Sequence, residues 1–319
     1  MHDVIKHIEQ EMTGVNEEIK RALFDTDNLF LKNIGEYVFQ TDGKKIRPII
    51  ILLIAKALNN LTENHIKIAA AVELIHTATL IHDDIIDAAD FRRHKETVNS
   101  KWGTDISILA GDFIFTKAYK LALQTQNPEV LRLICDITTK MCEGEISEIQ
   151  VRNTIIDEQT YFKIISQKTA GLFSLCCEIS AILSQCDNLA IKSFSEFGMN
   201  FGMAFQITDD ALDFTSKSGQ SGKDCGNDYK GGFFTLPIIH SLNIADNDDK
   251  KKILEILEHG NDFKNLLELI KKYNGIAYSL NKADEYKNKA IDSLKNIKSL
   301  NISYDDLEEL SDFIIKRIY

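Results

Sequence analysis

Apolar residues recur at helical spacing along most of the chain, and no run of alternating apolar and polar residues is long enough to suggest a sheet. This pattern predicts an all-α protein. The organising stretch runs from Ile66 to Ala89, contains neither Gly nor Pro, and is predicted to form one long buried helix. No domain boundary is evident, so we predict a single domain across residues 1–319.

The remaining segments are predicted from the same periodicity and from turn residues. Residues 3–40 favour two amphipathic helices, and the turn at 41–48 feeds a helix with Pro48 near its first position. A further helix is expected over Val130–Gln150, and the helical segment that follows it, residues 160–185, is expected to kink at residues 167–171. Residues 215–232 form the one long polar, glycine-rich loop, a type of segment that often covers a binding site.

Three aspartates interrupt the long apolar helix: Asp83, Asp84 and Asp87. At about 3.6 residues per turn, Asp83 and Asp87 share a face, and His76 lies two turns earlier on it. Two carboxylates in apolar surroundings cannot stay ionised without a cation. Because hard oxygen ligands suit Mg²⁺ or Ca²⁺, the cluster predicts a site for one of these ions.

A second acidic cluster makes a surface explanation less plausible. A single such motif in an acidic protein is usually a solvated helix face. The apolar stretch Phe201–Phe214, however, carries Asp209, Asp210 and Asp213, with Gln206 one turn earlier on the same side. We therefore expect the two clusters to form two walls of one site.

Basic residues accompany both clusters and the segments around them. Arg92 and Arg93 follow the first aspartates directly, and a paired basic site of this kind suits phosphate. The other candidates lie at a helix entry, in an apolar segment and in the polar loop: Lys44, Lys45, Arg47, Lys168, Lys223, Lys230. A cation site beside these residues predicts a polyphosphate substrate.

Composition narrows the class of protein. The chain has 44% hydrophobic residues, 27% charged residues and a net charge of −11, which argues against nucleic acid or an anionic membrane surface as partner. Its most apolar stretch, Ile49–Ala55, is far shorter than a membrane span. Six cysteines without a C-x-x-C spacing suggest free thiols, and the N-terminus resembles no signal or transit peptide, so a cytoplasmic location is expected.

Together these motifs resemble the trans-isoprenyl diphosphate synthases, and most closely their long-chain, octaprenyl-type branch. The match covers about residues 35–240 in the order and spacing of the family. It rests on these segments: Gly43–Pro48, Glu73–Asp87, Arg92–Arg93, Gly111–Asp112, Lys168–Thr169, Phe205–Asp213, Gly226–Asp228 and Thr235–Pro237. The resemblance implies a helical bundle around a deep central cavity, a homodimer, and two aspartate motifs that face each other across the cavity mouth.

The resemblance also implies roles for individual residues. The two aspartate motifs would bind three Mg²⁺ ions, two at Asp83 and Asp87 and the third at Asp209 with Asp213, with Asp84 and Asp210 completing the metal set. The allylic diphosphate would be held by Arg92, Lys168 and Lys223. Isopentenyl diphosphate would be held by Lys44, Arg47, His76 and Arg93. Thr169 and Gln206 would stabilise an allylic cation with their oxygen dipoles.

The implied reaction is successive condensation of isopentenyl diphosphate onto an allylic diphosphate such as farnesyl diphosphate, for the side chain of a quinone. Ala78 and Thr79, just before Asp83, are small where short-chain members carry bulky aromatic residues. A growing chain could then pass deeper, towards apolar residues of the 130–141 helix, which predicts a long product. The alternative is that Ala78 is small only to let two helices pack closely.

Two departures and three rival functions remain open. Phe233 occupies the place of a family lysine, for which Lys230 could substitute, and His94 stands where a glycine commonly follows the arginine pair. A short-chain farnesyl or geranylgeranyl diphosphate synthase is the nearest rival. A class I terpene cyclase would not need Lys44 and Arg47. A non-catalytic subunit of a heteromeric synthase should have lost an aspartate, and all six are present.

Overall fold

The computed structural model describes residues 2–40, 43–215, 226–260, 262–297 and 303–316. Helices account for nearly all regular structure in these ranges, which confirms the predicted all-α class. The N-terminal region forms three helices rather than the two predicted. The basic turn before Pro48 is described from Gly43 onwards, and most of the predicted polar loop, including Lys223, lies outside the described residues.

The elements follow one another in this order: α1 (His2–Lys6), α2 (Glu9–Phe24), α3 (Leu29–Phe39), α4 (Ile46–Ala57), α5 (Glu63–Ile86), β1 (Phe91–Arg92), β2 (Lys95–Glu96), α6 (Val98–Trp102), α7 (Thr104–Leu123), α8 (Pro128–Gln150), α9 (Glu158–Ile165), a π-helix (Ser166–Ala170), α10 (Gly171–Leu183), α11 (Asn188–Leu212), α12 (Asn227–Lys230), α13 (Leu236–Ile244), α14 (Asn247–His259), α15 (Phe263–Lys272), α16 (Gly275–Lys295) and α17 (Asp305–Lys316).

The chain clusters into two compact units. The first comprises the described residues within 1–135, 176–192 and 299–307. The second comprises those within 136–175, 193–298 and 308–319. The first aspartate cluster belongs to the first unit and the second cluster to the second unit. The single domain remains a prediction, as does the arrangement of the two clusters across one cavity.

Helix α5 lies about three residues earlier than the sequence pattern predicted. It begins at Glu63 because His65 accepts a hydrogen bond from the Thr62 backbone N–H at its Nδ1, 3.1 Å away. It ends at Ile86, and Ala88 has a left-handed backbone with φ 48°, which a helix cannot contain. The third aspartate of the cluster, Asp87, is therefore the first residue after the helix.

Tight packing holds α5 in the first unit, where it contacts α2, α4 and α7. Gly111 of α7 faces His82 so closely that a Cβ at this glycine would lie 2.1 Å from the imidazole Nε2. His82 Nε2 is also 3.2 Å from the Ile108 carbonyl oxygen. A side chain at position 111 would therefore clash with His82. The close contact that glycine allows holds α7 beside the helical turn that precedes the aspartates.

A close approach of a different kind positions the second cluster. The predicted kink is a π-helix, in which the helical turn is wider than in an α-helix. A Cβ at Gly202 of α11 would lie 2.5 Å from the Ala170 Cα, so only glycine lets α11 reach the π-helix. This contact brings Thr169 next to Gln206, four residues along α11 from Gly202.

A two-residue hairpin follows α5 and carries the arginine pair. Phe91 pairs with Glu96 and Arg92 with Lys95, while Arg93 and His94 form the turn with φ of 51° and 62°. Positive φ at both turn positions suits Asn or Gly, and it costs other residues about 1–2 kcal/mol each. His94 therefore occupies a strained position that a glycine would adopt freely, which gives the sequence departure at this residue a physical meaning.

Candidate active site

The middle aspartate of the first cluster, Asp84, forms an ion pair with another residue of the same chain. Asp84 is 4% exposed, and Arg92 Nε donates a hydrogen bond to its Oδ1 at 2.7 Å. Burial raises the pKa of Asp84, and the guanidinium of Arg92 opposes that shift. The ion pair thus compensates a carboxylate that could not otherwise stay charged in this place. It also ties the hairpin to α5.

The outer aspartates, Asp83 and Asp87, have different surroundings. The sequence placed both in apolar surroundings, but Asp83 is only half-buried and Asp87 is exposed. The reason is the end of α5, which leaves Asp87 beyond the helix. The backbone N–H of Asp87 still bonds the Asp83 carbonyl at 2.8 Å, so the two residues remain on consecutive turns.

The first unit also contains several of the basic residues that the sequence singled out, among them Arg92 and Arg93. A Cβ at Gly43 would lie 2.6 Å from Arg93 Nη1, so the hairpin arginine packs directly on the helix-entry segment. A cleft of about 80 Å³ lies between α5 and the hairpin. Its lining includes side chains that can bind a phosphate, Tyr37, His76, Arg92, Arg93 and Lys95, together with the acids Glu73 and Asp84.

His76 sits in this positive region and is held neutral. Burial, then the charges of Arg47, Arg93 and Arg92, lower the pKa of His76 well below its ordinary value. At neutral pH the imidazole can therefore donate a hydrogen bond but carries no positive charge. Glu73 lies one turn earlier, and burial raises its pKa while Arg47, Lys45 and Arg93 oppose the shift.

The second cluster is organised around its own middle aspartate. Asp210 is 4% exposed and accepts two hydrogen bonds, from Tyr161 OH at 2.6 Å and from Gln206 Nε2 at 2.7 Å. Thr169 Oγ1 in turn donates to Gln206 Oε1 at 2.8 Å. Burial raises the pKa of Asp210, while the two donors oppose the shift. Burial, followed by the charge of Asp210, raises the pKa of Tyr161 well above its usual range, so the phenol keeps its proton.

The outer aspartates of the second cluster are again more accessible. Asp209 and Asp213 are half-buried, and Asp213 follows the last residue of α11. The Asp213 carboxylate accepts backbone N–H bonds from Asn227 and Asp228, each at 3.1 Å. It therefore caps the first turn of α12 and ties the end of the polar loop to the aspartate motif.

Lys168 is placed on the π-helix and held by acids. It forms ion pairs with Glu145, at 2.9 Å, and with Glu148, both on α8. These carboxylates raise the Lys168 pKa against the effect of burial. A Cβ at Gly144 would lie 2.8 Å from the Lys168 backbone nitrogen, so glycine allows α8 and the π-helix to meet. The predicted contact of Lys168 with a diphosphate would require it to exchange these partners.

The donor set fits a metal ion that is shared with a phosphate ligand. Among the described residues, no group of three or more His, Cys, Asp or Glu side chains lies close enough to enclose a metal. Mg²⁺ at phosphate sites commonly takes only one or two carboxylates, and substrate oxygens and waters complete the octahedron. The outer pairs, Asp83 with Asp87 and Asp209 with Asp213, supply carboxylates in that number.

A cationic side chain lies close to Phe233, the residue that stands in place of the family lysine. The Arg152 guanidinium carbon stands 4.7 Å from the centroid of the Phe233 ring. Gly232, with φ 79°, lets the backbone approach closely, since a Cβ there would lie 2.2 Å from Asn153 Oδ1. Lys230, the substitute suggested by the sequence, is exposed at the end of α12.

Several of these residues escaped sequence reasoning. Tyr161, Glu148 and Arg152 carry no motif of their own, and each meets its partner only through the fold. Tyr161 and Asp210 are 49 positions apart, for example. The sequence held one signal for the partners of Lys168. Glu145 and Glu148 lie one turn apart on a helix with an apolar face, where two acids favour a nearby cation.

Comparison with known proteins identifies the family. Residues 28–273 match the polyprenyl synthetase model. The chain belongs to the polyprenyl synthetase family. The octaprenyl diphosphate synthase of Escherichia coli strain K12 is 34% identical over 290 residues, covering 90% of each chain. The geranylgeranyl diphosphate synthase of Sulfolobus acidocaldarius is 34% identical over 319 residues, covering 96% of each.

Solved structures of polyprenyl synthetase proteins have the same fold. The crystal structure of a polyprenyl synthase from Caulobacter crescentus CB15, complexed with calcium and isoprenyl diphosphate, has a TM-score of 0.91 to this chain at 30% identity. The match covers 99% of this chain and 97% of that one. The predicted enzyme class is thereby confirmed: the chain is a prenyltransferase of the prenyl diphosphate synthase type.

Within the described ranges of this polyprenyl synthetase, no helix is both long and apolar enough to cross a bilayer.

The state of His76 predicts a pH dependence of stability. Its pKa in the folded protein is lowered, so the unfolded chain binds a proton near pH 6.5 that the folded chain does not. The free energy of unfolding should therefore fall as pH drops below 6.5, by up to about 1.4 kcal/mol per pH unit from this residue. Urea unfolding between pH 7 and pH 5 measures the slope. His76→Gln should reduce it at an unchanged m-value, and an equal slope in both proteins would contradict the neutral imidazole.

Proposed function

We propose that the protein is a long-chain all-trans-polyprenyl diphosphate synthase that adds isopentenyl diphosphate repeatedly to an allylic primer such as farnesyl diphosphate. The observation that carries this proposal is the pattern of burial in each unit: the middle aspartate is 4% exposed, and the two outer aspartates are more accessible. We propose that the two outer carboxylates of each cluster are the ones that meet a metal-bound diphosphate. The basic groups around His76 supply a second anion site in the first unit.

Different residues of this chain bind the two diphosphates. Lys44, Arg47 and Arg93 bind the diphosphate of isopentenyl diphosphate, with neutral His76 as hydrogen-bond donor. Arg92, fixed by Asp84, contributes to the allylic diphosphate together with Lys168 and Lys223. The Lys168 ammonium is available only after it leaves Glu145 and Glu148, so allylic diphosphate binding competes with that cluster.

The reaction follows from charge. The allylic C–O bond breaks and its electron pair stays with the diphosphate, which leaves an allylic cation. The double bond of isopentenyl diphosphate forms the new C–C bond, and the proton lost from the adduct goes to the released diphosphate. Thr169 and Gln206 face the cation with their oxygen dipoles, which stabilise developing positive charge.

Mg²⁺ is the proposed cofactor, with three ions per site. It would be held by Asp83 and Asp87, and by Asp209 with Asp213, and would neutralise the diphosphate as it leaves. The relative from Caulobacter crescentus supports this assignment, because its crystal structure contains calcium together with isoprenyl diphosphate. We assign Asp84 and Asp210, which the sequence placed among the metal ligands, to orienting Arg92 and Gln206 instead.

The remaining parts of the proposal concern assembly and product. A homodimer is supported by exposed apolar residues on α7, since Leu109 is 62% and Leu123 60% exposed. Similarity to an octaprenyl diphosphate synthase supports a long product for a quinone side chain. Similarity to a geranylgeranyl diphosphate synthase supports the short-chain alternative. A cytoplasmic location stays a prediction from the sequence.

One assay tests the function directly. Purified protein is incubated with labelled isopentenyl diphosphate, farnesyl diphosphate and Mg²⁺, and the products are sized by chromatography. A long-chain synthase gives products well beyond twenty carbons. Products that stop at twenty carbons would establish the short-chain alternative, and no condensation at all would favour a non-catalytic subunit.

The metal assignment predicts unequal effects within one motif. Asp83→Asn or Asp209→Asn should lower kcat by about a thousandfold or more, because each removes negative charge from a metal-binding pair. Asp84→Asn, the matched control on the same helix, keeps an amide oxygen that can accept from Arg92 and should cost about tenfold. Turnover is measured at saturating Mg²⁺, with circular dichroism to verify the helical fold.

Equal losses in Asp83→Asn and Asp84→Asn would contradict this division of roles within the motif. Near-wild-type turnover in Asp83→Asn or Asp209→Asn would overturn the three-metal proposal itself.

The Arg152 guanidinium lies over the Phe233 ring, which predicts that Arg152, rather than Lys230, supplies the cation that the family takes from a lysine. Arg152→Ala should raise KM for the allylic diphosphate about tenfold, a typical loss for a charged hydrogen bond. Lys230→Ala, the matched control from the sequence hypothesis, should leave that KM within twofold. Initial rates at varied farnesyl diphosphate give both values. The opposite ranking would show that Lys230 substitutes for the lysine and that Arg152 only packs on Phe233.

Product length provides a test of the route for the growing chain. Ala78 is completely buried, whereas Thr79 is half-buried and bonds the His76 carbonyl at 2.8 Å. Ala78→Phe and Thr79→Phe should each stop elongation at fifteen or twenty carbons, because an aromatic ring fills the space beyond Asp83. Ala78→Ser, which changes volume little, is the control. Products are compared with wild type at equal conversion.

A folded, active Ala78→Phe protein that still makes wild-type products would place the route elsewhere. In that case Ala78 is small only for helix packing, and the long-chain proposal loses its main structural support.

A further inference from the structure

Tyr161 is a buried hydroxyl to which neither the sequence motifs nor the proposed reaction gives a role. It lies on α9, is 3% exposed, and packs in a cluster with Ile165, Ala170 and Ile207. Its hydroxyl donates to Asp210 Oδ2 at 2.6 Å, the shortest bond of the polar chain around that aspartate. A phenol surrounded by apolar groups keeps such a bond because breaking it would leave two buried polar groups unsatisfied.

The chain of bonds has a fixed direction. Each oxygen of the Asp210 carboxylate accepts one bond, Oδ2 from Tyr161 and Oδ1 from Gln206 Nε2. The second bond orients the amide, so that Gln206 Oε1 accepts the proton of Thr169 Oγ1 at 2.8 Å. A threonine hydroxyl has one proton, and once it is donated the oxygen can offer only lone pairs to a further group.

This polarity matches the need of a carbocation. An oxygen that presents lone pairs stabilises positive charge, whereas a hydroxyl that presents its proton destabilises it. Gly202 and the π-helix hold Thr169 and Gln206 together through backbone contact, which fixes where the dipoles are. The bonds to Asp210 fix which way they point.

We propose that Tyr161 is a positioning residue for the allylic cation, acting through Asp210 and Gln206 on the orientation of Thr169. The proposal rests on the proposed function, because it needs a cation at Thr169 and Gln206. Without the phenol, one carboxylate oxygen loses its donor and the carboxylate can rotate. The amide of Gln206 then loses its fixed orientation, and the polarity at Thr169 is no longer determined.

Tyr161→Phe tests this directly, since it removes one oxygen atom and keeps the ring. We expect kcat for the first condensation to fall about tenfold to a hundredfold, the range for a hydrogen bond to a charged group. KM for isopentenyl diphosphate should stay within twofold. The matched control is Tyr278→Phe, which also removes a tyrosine hydroxyl from a carboxylate, that of Glu158 on the same helix α9, at 2.9 Å. It should leave kcat within twofold.

A double-mutant cycle separates positioning from general destabilisation. In a Gln206→Leu background the series of hydrogen bonds from Tyr161 to Thr169 is already broken. Adding Tyr161→Phe should therefore lower kcat by less than a further twofold. A purely structural loss would multiply in both backgrounds. Full multiplication, or unchanged kcat in Tyr161→Phe, would overturn the inference while wild-type synthesis continues. If wild-type protein forms no prenyl product, the proposed function falls and the inference falls with it.

Discussion

A carboxylate that is removed from water must find a donor or a cation, and this constraint organises each of the two aspartate clusters. In each cluster the middle aspartate is almost fully buried and is satisfied inside the protein. Asp84 takes Arg92, while Asp210 takes Tyr161 and Gln206. The outer aspartates are more accessible, and we propose that a metal-bound diphosphate meets them there. A motif of similar aspartates thus contains carboxylates in two different environments.

Irregular backbone delivers the other functional groups to these carboxylates. Left-handed residues end α5 and form the hairpin turn that carries Arg93. A π-helix presents Lys168 and Thr169, and glycines at 144 and 202 let two α-helices reach it. Such conformations are costly and concentrate at functional sites, where packing holds them in place. In this protein left-handed residues also follow other helices, as at Asn59, Gln126 and Gln185, but those at Ala88, Arg93 and His94 lie directly beside the first aspartate cluster.

The sequence was sufficient for the fold class and the enzyme class, because helical periodicity and paired motifs are local signals, whereas the roles of the individual site residues stay predictions. It was less informative about exposure. Asp83 and Asp87 were expected in apolar surroundings, but α5 ends at Ile86 and leaves Asp87 exposed. Partners distant in sequence were out of reach, as Tyr161 for Asp210 and Arg152 for Phe233 show. The helix-forming pattern of α9 also gave no reason to single out one tyrosine.

We propose that, within the two motifs, only the outer aspartates bind metal. Crystals grown with Mn²⁺ and an unreactive allylic diphosphate analogue test it most directly, because anomalous scattering locates each ion. We expect metal coordination by Asp83 and Asp87 and by Asp209 with Asp213, while Asp84 still pairs with Arg92 and Asp210 still accepts from Tyr161. Coordination of an ion by Asp84 or Asp210 would contradict it.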